Sequence, residues 1–167
     1  MKLQVLSDLH HEFGFVDLTF DKADVVVIAG DVNLGIKGVE WIMKTITALP
    51  VVYVLGNHEY YKGSIPKTLN SIKKVASGSN VHVLENEAVI VDGVTFHGAT
   101  LWTDFALLGD SRSNGSLCQE RMNDYKMIRR DPSYSKLRSI DTYLLHRQSF
   151  AGWRRVSNLR QLERTSW

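Results

Sequence analysis

Three short apolar runs punctuate the first sixty residues, and each ends in a polar cluster. Leu3–Leu6 leads into Ser7-Asp8-Leu9-His10. The β-branched run Val25–Ala29 leads into Gly30-Asp31, and residues 51–55 lead into Gly56-Asn57-His58. Runs this short, apolar on both faces and followed by a polar cluster or a glycine, predict buried strands. Between the second and third, Val39, Ile42, Met43 and Ile46 recur at helical spacing, and Pro50 follows. Strand, helix and strand in that order predict a βαβ unit. The expected fold class is α/β, a mixed and largely parallel β-sheet flanked by helices.

The pattern continues with a helix over 64–76, with Ser64 as its cap, Pro66 near its start, and Ile65, Leu69, Ile72 and Val75 as its apolar stripe. Gly78 stops it. Residues 81–84 and 88–91 read as strands, and Asp92-Gly93 turns the second of these into 94–97, a hairpin. Residues 104–115 are polar and irregular and predict a loop. Residues 119–130 and 142–155 predict helices.

Composition narrows the class. A chain of 167 residues fits one domain better than two, and 44% hydrophobic content is enough to build a core. A net charge of +2 announces neither a nucleic-acid nor a membrane partner. Cys118 is the single cysteine and cannot form an internal disulfide, which points to a reducing cytoplasm. No apolar run approaches the ~20 residues of a membrane helix, and Met1 to His10 lacks the apolar core and cleavage site of a secretory signal.

Each polar cluster taken alone is ordinary turn chemistry. Together they carry more. Ligands of open α/β sheets bind at the carboxyl ends of strands, so Asp8, His10, Asp31, Asn57 and His58 are expected on one rim. Asp8 and His10 are two apart and share a side in extended chain. Carboxylate, imidazole and amide oxygens suit transition-metal ions, and a carboxylate bridging two ions ~4 Å apart recurs in phosphatases and nucleases. Asp31, central in the set, is the natural bridge.

In order, Asp8-Leu9-His10, Gly30-Asp31 and Gly56-Asn57-His58-Glu59 resemble the first three blocks of the calcineurin-like metallophosphoesterase family. The stretches 98–104 and 122–125 resemble a bacterial subgroup of it, and the likeness covers roughly residues 1–150. The resemblance implies the first part of a four-layered α/β/β/α sandwich. It implies two divalent ions (Mn, Fe or Zn), with Asp8 and His10 on the first, Asp31 on both and Asn57 on the second. It also implies that His58 contacts the phosphate and protonates the leaving oxygen, the substrate being a phosphate mono- or diester. Asp104 and Asp124 are candidates for orienting neighbours. His11 stands where the subgroup has an apolar residue and is not expected to be a ligand. Trp41, Met43, Tyr60 and Tyr61 read as packing residues, and His82 and His97 as core or edge residues.

Two later histidine blocks of the family pattern are missing, and His11, His82, His97 and His146 do not replace them. Activity is therefore expected to be impaired, the alternative being an inactive remnant that acts as a binding protein. Nucleic-acid binding through the arginine-rich end ranks last, because no aromatic residues interleave and no binding module is present. Every arginine lies at or after Arg112, and 151–167 form an atypical tail. That tail admits two readings: a frameshift near Ala151, or a genuine helix whose Arg154 and Arg155 are solvated.

Overall fold

The computed structural model describes the backbone of residues 1–164 and side chains through Trp153. It divides into two compact units. The first comprises residues 1–100 and 123–137, and the second 101–122 and 138–167.

The first unit is built on four parallel strands, β1 (Leu3–Leu6), β2 (Val25–Ala29), β3 (Val51–Val54) and β5 (Val81–Val83), in the order β1-β2-β3-β5. Helix α1 (Lys37–Thr45) joins β2 to β3. Strand β4 (Ser64–Ile65) and helix α2 (Lys67–Ala76) precede β5, and the hairpin β6 (Glu87–Val91) and β7 (Val94–Gly98) follows it. The two-faced apolar character of the strands has its reason in what covers each face. Val25 and Val52 pack with Leu84 and Val91, alongside Val27, Val54, Val89 and Phe96, so the hairpin covers one face. The alternate residues Val26, Ile28, Val51 and Tyr53 are fully buried from the other side. There α1 closes in: the Tyr53 hydroxyl lies 3.2 Å from where a Cβ on Gly38 would stand. Burying a Val or Ile side chain fully is worth roughly 1.5–3 kcal/mol, so this stack of helix, sheet and hairpin is the unit's main source of stability.

Three elements differ from the pattern-based expectation. Ser64 does not cap a helix; it opens β4, its hydroxyl donates to Asp131, and the helix starts at Lys67. The residue before a proline is pushed into extended backbone, so Ile65 ahead of Pro66 cannot be helical. The expected helix over 119–130 is broken into the end of α3 (Ser111–Arg121), a single turn α4 (Asp124–Met127), and strand β8 (Arg129–Arg130). β8 pairs with β4 and with β9 (Ser135–Lys136). The last five residues of the expected loop 104–115 are the start of α3, because Asp110 accepts from the Arg112 amide and the Ser113 hydroxyl and caps it.

The second unit holds α3 and α5 (Ser139–Arg164). The Asp141 carboxylate reaches back to the Arg138 amide at 2.9 Å, half of a capping box, which starts α5 three residues before the apolar pattern does. The helix runs on to Arg164. The side chains of Arg154 and Arg155, the residues Thr165, Ser166 and Trp167, and with them the two readings of the tail lie outside the described residues. Among the described residues no helix is long and apolar enough to cross a membrane.

His11 is 4% exposed, wedged between Phe15 and Trp41, and neither ring nitrogen has a hydrogen-bond partner. Burial pushes its pKa below the ordinary value, with Glu12 opposing. The unfolded chain takes up this proton near pH 6.5 and the folded chain resists it, so stability should fall as pH drops from there toward the lowered folded value. His11→Leu is expected to flatten that slope and to raise unfolding free energy by about 1–2 kcal/mol in urea titrations at pH 6.

Candidate metal centre

Strands β1, β2 and β3 release their chains at the same end of the parallel sheet, and main-chain hydrogen bonds carry the ladder beyond the strands. Asp8 N donates to Gly30 O, His10 N to Asp31 O and His11 N to Val32 O, at 3.2, 2.9 and 2.9 Å. The donors follow from that register. Ligand atoms of Asp8, His10 and Asp31 all lie within 4.8 Å of one another. All three residues adopt left-handed backbone, with φ of 55°, 46° and 57°. That conformation costs a non-glycine residue roughly 1–2 kcal/mol, and such strain concentrates at functional sites.

The loop after β3 wraps the Asp31 carboxylate. Its Oδ1 accepts from the His58 amide at 2.9 Å, and a Cβ on Gly56 would stand 2.2 Å from the same oxygen, so a side chain at 56 would displace the carboxylate. Gly30, with φ 87°, has its own Cβ position 2.6 Å from the Gly56 nitrogen, and the two backbones touch.

Glu59 braces both loops from beneath and is fully buried. Its Oε2 accepts from the amides of Asp31 (3.1 Å) and Gly56 (2.8 Å), and its Oε1 from the Val32 amide and the Tyr53 hydroxyl, both at 2.8 Å. Burial pushes its carboxyl pKa up, while the Val32 and Tyr53 hydrogen bonds oppose the rise. Four donors on two oxygens leave no acceptor for a carboxyl proton, so Glu59 serves as an acceptor throughout.

Glu12 joins the histidines. Its Oε1 lies 2.6 Å from His58 Nδ1 and 3.2 Å from His10 Nδ1, with the two rings 4.4 Å apart. Burial raises the Glu12 pKa, but its hydrogen bonds to backbone, His58 and His10 outweigh that and hold it below the ordinary value. An ionised carboxylate only accepts, so both imidazoles donate through Nδ1 and keep Nε2 for other work. Its Oε2 is buried without a hydrogen-bond partner. Tyr61 stacks on His58 at 4.3 Å, and burial, with Asp124 nearby, pushes its hydroxyl up to about 12.

Asn57 sits between Gly56 and His58. Its Nδ2 donates to Asp124 Oδ1 at 2.5 Å and to the Tyr61 hydroxyl at 3.3 Å. The geometry therefore brings Asp8, His10 and Asp31 into one donor group. It sets His58 against both Asp31 and Glu12, and places Asn57 in the loop around Asp31. Asp104 belongs to the second unit, 3.9 Å from His146. Among the described residues, two groups bring ligand atoms within 4.8 Å of one another, Asp8 with His10 and Asp31, and His10 with Glu12 and His58; His82 and His97 join neither.

Sequence reasoning missed Glu12, which has no recognisable spacing except its nearness to His10. Glu59 stands in the sequence only as the last residue of the Gly56–Glu59 block, which does not disclose its role as a brace. Tyr61 reads from the sequence as a packing residue, yet its hydroxyl takes part in the polar network around Asn57. Two oxygens and an imidazole nitrogen converging from three residues suit a first-row divalent cation.

A family model described as calcineurin-like phosphoesterase matches residues 1–157. An uncharacterised protein, L509, of Acanthamoeba polyphaga mimivirus is 28% identical over 150 residues, covering 77% of this chain and 52% of that protein. Among solved structures, the phosphopantetheinyl hydrolase PptH of Mycobacterium tuberculosis is similar with a TM-score of 0.67. The identity is 17%, over 93% of this chain and 63% of that one, which is a likeness of fold. The chain thus spans about half the length of the curated relative it matches.

Glu59→Gln would put an NH2 donor among four donors. It is expected to lower unfolding free energy by about 2–3 kcal/mol in denaturant titration. An unchanged midpoint would show that the two loops hold together without this brace.

Proposed function

We infer the activity from one premise: the chain belongs to the calcineurin-like phosphoesterase family. It is read as a metal-dependent phosphoesterase acting on phosphate mono- or diesters. The observation that carries this reading is the convergence of Asp8, His10 and Asp31 within 4.8 Å beside His58. A hydrolase among the structures of similar fold agrees with the reaction class.

In this proposal Asp8, His10 and Asp31 hold one divalent ion, and Asp31 with Asn57 holds a second. When bound, Mn, Fe or Zn would activate water and offset the negative charge that develops on the phosphoryl group. The protein's own contribution is orientation. Glu12 accepts from His58 Nδ1 and fixes the ring. The form that would give a proton to the leaving oxygen is the imidazolium, which carries a second proton on Nε2. Asp31 is held by the His58 amide and walled by Gly56, so its carboxylate is set before any ligand arrives. His82 and His97 lie outside both donor groups among the described residues, so in this proposal the second ion is assigned fewer ligands than the first. On that assignment, slow turnover is expected of this chain. A reducing cytoplasm agrees with the free Cys118.

A second reading, a binding protein without catalysis, has its own observation. β1 is the sheet's outer strand, and its Leu3 and Val5 are 48% and 62% exposed, an apolar edge of the kind that recruits partners.

One experiment separates the two. The purified chain is titrated with Mn²⁺, and hydrolysis of an aryl phosphate monoester and diester is followed. Asp31→Ala should abolish both Mn²⁺ uptake and turnover. His58→Ala should keep Mn²⁺ and lose about 10²–10⁴-fold in kcat. A folded chain with neither uptake nor turnover leaves the binding protein.

A further inference from the structure

An asparagine amide offers a cation its carbonyl oxygen and nothing else, since the NH2 nitrogen has no lone pair to give. The two ends of the amide are nearly equal in size, so packing alone does not choose between them. Whatever holds the NH2 decides whether Asn57 is a ligand.

We propose that Asp124 is a positioning residue. Its carboxylate captures the Asn57 NH2 and thereby leaves the carbonyl oxygen as the group that Asn57 presents to a metal ion. This rests on the phosphoesterase reading for the ion itself. The orientation stands on the geometry of the protein alone.

Asp124 is 4% exposed, opens α4, and lies 67 residues from Asn57 in sequence. A carboxylate only accepts, so the Asn57 atom 2.5 Å from Oδ1 is the nitrogen. Tyr61 closes the arrangement: its hydroxyl accepts from Asn57 Nδ2 and donates to Asp124 Oδ1, both at 3.3 Å. A flipped amide would point its oxygen at the Asp124 carboxylate and at a hydroxyl already committed to that carboxylate. The ring carrying that hydroxyl stacks on His58, so one buried carboxylate holds the Asn57 amide directly and also the tyrosine that packs on His58. Partners of this kind, one bond removed from the metal, typically change affinity 10–100-fold when lost.

Two measurements test it. In the metal-free protein, ¹H–¹⁵N NMR of the Asn57 side chain should show one strongly downfield NH2 proton with slow exchange, and Asp124→Asn should collapse that shift. By Mn²⁺ titration, Asp124→Asn should weaken the weaker of two sites about 10–100-fold and leave the stronger, Asp8-based site alone. Tyr61→Phe, which keeps the ring, should weaken the same site by less. An Asn57 signal in the wild type that looks solvent-exposed overturns the proposal even if the Asp124 variant fails to fold. So does Asp124→Asn with wild-type Mn²⁺ affinity. A wild type that takes up no second Mn²⁺, yet shows the Asn57 signature, instead overturns the two-ion reading on which the proposal rests, and with it any ligand for Asp124 to position.

Discussion

Glu59 accepts four hydrogen bonds in the interior, and the rim of the sheet depends on them. Three of the donors are main-chain amides of two loops that leave adjacent parallel strands, groups that would otherwise be unpaired where the ladder ends. The fourth is the hydroxyl of Tyr53, which comes from the face of β3 that packs on α1. A single carboxylate thus joins the helix layer, the sheet and the loops that hold Asp31. Without it, the close contact of Gly30 with Gly56 and the wall that Gly56 gives Asp31 would have no foundation.

Above that brace, charge is arranged in layers. Asp8 and Asp31 face the centre with His10. Glu12 lies behind the two histidines, and Asp124 behind Asn57. Like charges so close repel, and the protein offsets this with oriented donors: the His58 amide on Asp31, two imidazoles on Glu12, and an amide and a hydroxyl on Asp124. The cost appears in the backbone, where Asp8, His10 and Asp31 all occupy left-handed conformations. Strain and charge repulsion at one rim are what a site built to hold a cation would carry before the cation arrives.

Much of this was legible in the sequence, and for a physical reason. Residues 25–29 and 51–54 are apolar on both faces, the pattern of strands covered on both sides, and they pair in parallel. Leu3–Leu6, expected to be buried like them, is instead the sheet's edge strand, with Leu3 and Val5 48% and 62% exposed. The donors were legible because each sits immediately beyond one of these strands. What escaped the sequence depends on tertiary approach. Asp124 stands in the sequence as a candidate for orienting neighbours, but its partner Asn57 lies 67 residues away, and no periodicity records that distance. Glu12 gains its place from a turn that brings it under His58, 46 residues on. The element boundaries missed at 64–66 and 119–130 share a cause too, since β4 and β8 exist because each is the other's partner.

The first unit is discontinuous: its four parallel strands are complete by residue 83, while the segment 123–137, which carries β8 and β9, returns to it after twenty-two residues given to the second unit. On a ribosome this sets an order of events. The nascent chain exposes Asp8, His10, Asp31 and His58 early and can assemble them on the emerging sheet, but Asn57 waits for Asp124 to leave the exit tunnel. Chain order alone therefore makes the pairing of Asn57 with Asp124 the last of these contacts to become available.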